Sequence, residues 1–320
     1  MIFDTASMYF RAFYGVPSSL RSPQGEPVNA VRGLLDSIAR LVEQYRPDGL
    51  VCAWDNDWRP SWRVELVPSY KTHRVADVQP AVGTASGVVG AGALAATGGL
   101  AEESPEGLVH QVEVIRQVLH ALGITVIGRD GYEADDVIGS LASQHDGESL
   151  VVTGDRDLFQ LADEGTRVLY IGKGVAKHDV VDPAWVQAKY GIAAQRYVDF
   201  AVLRGDPSDG LPGVKDVGDK SAAQLVSRFA SLEEMIAAAA DPASSLSPSL
   251  RKKLADAVDY LGPAREVVAV VRDLPLPELD GGQLSRDITR IDHDALAALD
   301  QRWGLGRSVE RITQALAVTS

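Results

Sequence analysis

Several things that would each announce a class of function are scarce in this chain. Cysteine is nearly absent: Cys52 is the single one in 320 residues, so no intramolecular disulfide can form. It lies inside an apolar run, reads as a buried core residue, and fits a reducing compartment. Long hydrophobic runs are missing too. No apolar stretch reaches the ~20 residues of a membrane span. The N-terminal MIFDTASMYF lacks the basic start and apolar core of a secretion signal. The expected setting is therefore the cytoplasm, with no membrane partner. Positive charge is in deficit, with 31 Lys+Arg against 44 Asp+Glu and a formal net charge of −13. Taken alone, that balance argues against a nucleic-acid partner. No Lys or Arg occurs between Arg74 and Arg116, so the segment between them cannot by itself grip a phosphate.

Apolar and charged residues are present in the ordinary proportions of a globular chain, 45% and 23%. Short apolar runs at 1–3, 49–54, 124–128, 150–153 and 167–171 predict strands. Helical patterns lie between them at 28–46, 106–122 and 133–145, the first with apolar residues at 31, 34, 35, 38, 41 and 42. Strand–helix alternation predicts an α/β fold with a largely parallel central sheet flanked by helices. From about 195 the pattern is almost wholly helical, with Ala/Leu/Val-rich segments at 220–229, 231–240 and 248–272. The expected organisation is an α/β domain over 1–199 and a smaller helical domain over 200–320. An extended strap (DLPLPELDGGQL) and two short helices should close the chain. Residues 83–99 form a Gly/Ala-rich stretch that reads as a mobile loop.

The abundant acids are unevenly spread. Nine of them fall in five islands: Asp4, Asp55, Glu133/Asp135/Asp136, Asp155/Asp157 and Asp206/Asp209. Asp4, Asp55 and Asp155 each follow a predicted strand, and the active crevice of an open parallel sheet lies beyond those strand ends. The Glu133 island would occupy the first turn of the next helix. Like charges so close repel unless a cation balances them. An all-oxygen set with no Cys and few His selects hard cations, Mg²⁺ or Mn²⁺, over Zn²⁺. Two such ions can ionise a water and stabilise the leaving oxygen of a phosphodiester. Arg11, Arg63, Lys71 and Arg74 are the candidate cations for the phosphate, and Tyr70 offers an aromatic face for an unpaired base.

Together these motifs resemble the bacterial 5′-nuclease family: the 5′→3′ exonuclease and flap endonuclease domain of DNA polymerase I and its free-standing relatives. The resemblance is carried by FDTASMYFRAFYG, WRVELVPSYKTHR, GYEADDVIGSLA, TGDRDLFQL and GDPSDGLPGVKDVGDKSAAQL, in order over nearly the whole chain. It implies a PIN-like 5′-nuclease fold. Asp4, Asp55, Glu133, Asp135 and Asp136 would serve mainly a first metal site, and Asp157, Asp206 and Asp209 a second, with Asp155 near both. It implies catalytic roles for Lys71 and Arg74 at the mouth of an arch over about 70–108. It also implies a helix–three-turn–helix at about 206–229, in which Gly213, Lys215, Gly218, Lys220 and Ser221 meet duplex backbone and a K⁺ ion binds. The implied substrate is DNA with 5′ flaps or 5′ ends, processed in replication and repair alongside a separate polymerase and ligase.

The chain departs from the family pattern at Gly210 in S-D-G, at Asp216 in the hairpin, and in an arch region without basic residues. Those departures keep a second expectation open, a DNA-structure-binding protein with weak or lost nuclease activity. A third, an RNA-cutting nuclease on a related fold, would lack the helix–three-turn–helix that 211–228 supplies.

Overall fold

The first strand, β1 (Ile2–Asp4), lies near the middle of a six-stranded sheet. It is flanked by β2 (Val51–Trp54) and β6 (Ser149–Thr153), both parallel to it. Outside these are β5 (Thr125–Gly128), parallel to β2, and β7 (Thr166–Tyr170), parallel to β6. An edge strand that the sequence did not signal, β8 (Asp179–Val181), runs antiparallel to β7. The order β5-β2-β1-β6-β7-β8 is thus an almost wholly parallel sheet, as strand–helix alternation requires. The computed structural model describes residues 1–75, 93–94, 102–103, 105, 107–279 and 290–317. Most of the 83–99 stretch, most of the arch region and the end of the strap lie outside the described residues. Within the segment expected as an arch, the backbone of β3 (Ala93–Leu94) pairs antiparallel with β4 (Glu102–Glu103). Among the described residues no helix is long and apolar enough to cross a membrane.

Side chains alternate across the strands and divide the interior into two cores. Phe3, Cys52, Val152 and Leu169 point to one face. There they meet α1 (Thr5–Gly15), α2 (Asn29–Tyr45) and α4 (Val109–Ala121). In α2 the six apolar positions that predicted the helix, Val31, Leu34, Leu35, Ile38, Leu41 and Val42, are all buried. Ile2, Val51, Ile127, Val151 and Val168 point to the other face, against α5 (Ala134–Gln144). That core runs on without a break into α7 (Tyr197–Arg204), α8 (Asp219–Arg228), α9 (Leu232–Ala240), α10 (Pro248–Asp256) and α11 (Val258–Val268). The helical segment therefore shares its core with one face of the sheet.

Two boundaries differ from expectation. The helix expected over 248–272 is broken at Ala257 and ends at Val268, after which residues 270–276 form no regular element. The second domain does not extend to 320. The last helices, α12 (His293–Trp303) and α13 (Arg307–Ala317), cross to the first face, where Leu296, Trp303, Leu305, Ile312 and Leu316 join the core of α2 and α4.

Close backbone packing governs the entry to the helix–three-turn–helix. Gly205 and Gly213 both have positive φ, 78° and 67°. A Cβ on Gly213 would come within 2.6 Å of the Arg204 carbonyl, and one on Gly205 within 2.7 Å of the Gly213 nitrogen. Neither position has room for a side chain, because the two backbone segments are in contact. Gly213→Ala should destabilise the protein by roughly 1–3 kcal/mol, read as a lowered urea midpoint at unchanged slope, whereas Gly218→Ala, whose Cβ would meet nothing within 4 Å, should cost much less.

Candidate metal centre

The carboxyl ends of β1, β2 and β6 open on a cleft of about 220 Å³. Asp4 closes β1 and caps α1, accepting from the Ser7 amide at 3.0 Å and from Thr153 Oγ1 at 2.7 Å. Asp55 follows β2 and accepts the Ala134 amide at 2.7 Å, joining the strand end to the start of α5. Asp155 follows β6, where its carboxylate accepts the Asp157 amide at 2.8 Å. Asp135, on the first turn of α5, completes the wall with Glu133, Lys71 and Arg74. Glu133, Asp135, Asp157 and Asp209 line an adjoining gap of only about 10 Å³. A larger cavity of about 600 Å³ lies at the opposite ends of the strands, around Met1, Tyr45, Asp48, His145 and Arg167. Asp48, Asp146 and Glu148 line it with Arg46 and Arg167, whereas five carboxyls against two cations crowd the much smaller cleft.

Burial is the largest influence on Asp4, Glu133, Asp135, Asp155 and Asp157, and neighbouring carboxylates raise each of them further. Asp4 is pushed up to about 7 by burial, against hydrogen bonds from Thr153 and Ser7, with Asp55 and Asp155 adding to the rise. Burial, then Asp155 and Asp4, hold Asp135 well above the usual carboxylate range. Burial and then Asp155 and Asp209 do the same to Asp157. Asp155 is raised by burial and by Asp209. Asp157 Oδ1 is buried without a hydrogen-bond partner. Acids kept in this state fit a hard-cation site, since a bound cation would favour their charged forms and satisfy the unpaired oxygen. Among the described residues, no group of three or more His, Cys, Asp or Glu stands in a ligating arrangement. The fit thus rests on the donor chemistry and its electrostatics.

Three sequence expectations are corrected. Arg63 is 2% exposed and cannot meet DNA: its guanidinium pairs with Asp136 through two contacts of 2.7 Å and approaches Glu133 at 3.4 Å. Asp136 is fully buried, and both its oxygens are taken by Arg63, with the Val271 and Glu133 amides as further donors. It is therefore a structural carboxylate and not a metal ligand. Tyr70 is 4% exposed and donates its hydroxyl to Glu133 at 2.8 Å, so its ring belongs to the core and offers no face to a base.

The remaining cations stand at the cleft. Lys71 pairs with Glu133; burial, the largest single influence, would lower its ammonium, but Glu133 together with Tyr70 and Asp209 more than offsets it and keeps the group charged. Arg74 reaches Asp209 at 2.8 Å and the Ser208 carbonyl at 2.8 Å. Arg11 lies one turn after Ser7 on α1, over Gly154, with a buried Nε. Asp206 pairs with Arg204 at 3.3 Å. The S-D-G departure has a steric reason: a Cβ on Gly210 would sit 2.1 Å from the Ser69 carbonyl. The 206–211 loop docks tightly on the basic loop there, with Ser69 Oγ donating to the Gly210 carbonyl and the Lys71 amide to the Asp209 carbonyl.

Beyond the cleft, Lys215, Gly218 and Lys220 are exposed and Ser221 half-buried at the start of α8. Gly213 is a second kind of correction, because its amide donates to the Tyr260 hydroxyl at 3.2 Å and is not free for a phosphate. Asp216 takes φ 57° and lies 3.5 Å from Lys253, which offsets its charge. Sequence reasoning missed Ser7, Thr153 and Trp58 in the site. The first two were signalled by their places three residues after Asp4 and two before Asp155.

Comparison with known proteins agrees with this fold. Residues 1–191 match the model of the 5'-3' exonuclease N-terminal resolvase-like domain, and residues 192–295 that of the 5'-3' exonuclease C-terminal SAM fold. A 5'-3' exonuclease of Streptomyces coelicolor is 51% identical over 318 residues, covering 99% of each chain. Among solved structures, a zinc-bound T5 5'-exonuclease covers 100% of this chain and 99% of its own, with TM-score 0.60 at 14% identity. The catalytic core of Rad2 in complex with DNA substrate covers 98% and 91%, with TM-score 0.57 at 17% identity. At such identities these two likenesses bear on the fold alone.

The raised acids carry a stability signature. A carboxyl held up to about 7 in the folded state stabilises the fold only while protonated, so its contribution is lost as pH rises from about 4 through 7. In chelator, thermal unfolding should therefore show a stability loss across that window that Asp4→Asn flattens, and Mn²⁺ should restore stability at pH 8 in the parent more than in the variant.

Proposed function

The chain belongs to the 5'-3' exonuclease family, and from that premise we propose that it hydrolyses phosphodiester bonds of DNA at 5′ ends and at the base of 5′ flaps. The observation that carries the reading is the convergence of Asp4, Asp55, Asp135 and Asp155 on one cleft beside Lys71 and Arg74. With Glu133 these acids would hold a first Mg²⁺ or Mn²⁺, and Asp157, Asp206 and Asp209 a second, with Asp155 between the two. Bound there, the cations supply an ionised water and charge stabilisation for the leaving oxygen.

The chain's own residues orient and neutralise the substrate. Lys71 and Arg74 sit at the lip of the cleft, each already paired with an acid, Glu133 or Asp209. A phosphate entering the cleft would compete with those acids for the two cations, which ties substrate seating to release of carboxylates. Arg11 adds a third positive group from α1. The exposed Lys215 and Lys220, with Gly218 and Ser221 opening α8, would follow the duplex backbone, and such contacts read shape rather than sequence. We also propose the K⁺ site at this element, a role in replication and repair beside a separate polymerase and ligase, and a reducing, cytoplasmic setting. The buried, unpaired Cys52 supports the last of these.

The test is cleavage of a labelled 5′-flap DNA with Mg²⁺ or Mn²⁺. Asp155→Asn should lower kcat by at least about 100-fold, and Lys71→Ala by about 100- to 1,000-fold, with binding of the flap retained. Tight flap binding by the parent without any cleavage would favour the DNA-structure-binding alternative. Lys220→Ala should weaken duplex binding evenly across sequences and reduce its salt slope by about 1.

A further inference from the structure

Arg63 is a buried cation to which the proposed chemistry gives no task. It lies on the short helix Ser61–Leu66, over the Trp62 ring at 4.4 Å. Its two terminal nitrogens grip the two oxygens of Asp136 at 2.7 Å each. One of them also approaches Glu133 Oε1 at 3.4 Å, and Nε donates to the Val267 carbonyl at the end of α11 at 3.0 Å. Asp136 in turn accepts the Val271 amide at 3.0 Å and the Glu133 amide at 3.2 Å. One guanidinium thus joins three parts of the chain: the segment leading to Lys71, the start of α5 and the end of α11.

The geometry has a directional consequence. Of the acids on either side of the Ala134–Asp135 pair, Asp136 is fixed by Arg63, and Glu133 is held by Arg63 together with Tyr70 and Lys71. Asp135 then faces the cleft that Asp4 and Asp155 also line. A planar fork can hold one carboxylate by two parallel bonds and still reach a carbonyl and a second acid; a lysine ammonium cannot reproduce that set. We propose that Arg63 is a positioning residue, which clamps Asp136 and Glu133 to the end of α11 and thereby presents Asp135 to the cations of the cleft. The proposal rests on the metal-centre reading above and extends it to a residue outside the cleft. Groups that orient a ligand without touching the metal typically change metal affinity or activity by about 10–100-fold.

The test uses the full chain and reads Mn²⁺ binding by calorimetry without DNA, alongside flap cleavage. Arg63→Lys keeps the charge and loses the fork. It should fold, retain the parent KM for flap DNA, bind Mn²⁺ about 10–100-fold more weakly, and lose kcat at low Mn²⁺ with partial recovery at high Mn²⁺. Asp136→Asn should act in the same direction, and the double variant should lose no more than the worse single variant, because both act through one clamp. A folded Arg63→Lys with parental Mn²⁺ affinity and kcat would overturn the proposal, as would losses that simply add in the double variant. If Arg63→Lys does not fold, parental Mn²⁺ affinity in Asp136→Asn overturns it equally. A parent that neither binds Mn²⁺ nor cuts DNA would instead sink the metal-centre reading itself, and this proposal with it.

Discussion

Repulsion among carboxylates crowded at one end of a parallel sheet is the constraint around which this molecule is arranged. The sheet itself creates the crowding, because parallel strands all end at the same edge and Asp4, Asp55 and Asp155 stand at three of those ends. Burial then sharpens it, since acids withdrawn from water interact at lower dielectric. The protein answers on two levels. At the cleft, hydrogen bonds from Thr153, Ser7 and backbone amides hold individual carboxylates in place. Arg63 behind the cleft and Lys71 in its wall neutralise Glu133 and Asp136. What is left over is a set of acids that are ordered but electrostatically unsatisfied, which is the state a cation site requires before cations arrive.

Much of this was legible in the chain itself. The α/β pattern and the strand ends carrying Asp4, Asp55 and Asp155 follow from apolar periodicity, because parallel strands buried on both faces read as continuous apolar runs. Cys52, placed in the core by the same reasoning, is fully buried. The polarity of individual side chains was much less legible. Arg63 and Tyr70 belong to residue types that are often exposed or half-exposed, and a basic, aromatic loop looks like a surface loop. Nothing local shows that Asp136 and Glu133, about 70 residues further on, will bury them. Asp136 was misread for the related reason that an acidic triplet looks uniform in sequence, although only a tertiary partner decides which member faces the cleft. The opposite face of the sheet, with α12 and α13 on α2 and α4, was also illegible. Amphipathic helices state that they have a buried side and not what it will meet.

The helical part of the molecule is not a passive appendix. Its loop 206–211 docks on the basic loop through Ser69, Lys71 and Arg74, and the steric fit at Gly210 shows how tightly. The end of α11 touches the charge clamp through Val267 and Val271. One continuous apolar core runs beneath these polar contacts. The cleft is lined by residues of the sheet part alone, but the helical part backs its walls and lines the adjoining gap through Asp209, Leu211 and Val267.

The crossing of α12 and α13 to the far face bears on how the protein is made. Helix α2 is synthesised long before α13, whose Ile312, Ala315 and Leu316 cover part of its apolar stripe. While the chain is being translated, that stripe stays open to other hydrophobic surfaces. The nascent protein would depend on chaperone shielding, or on the speed of elongation, until α13 emerges.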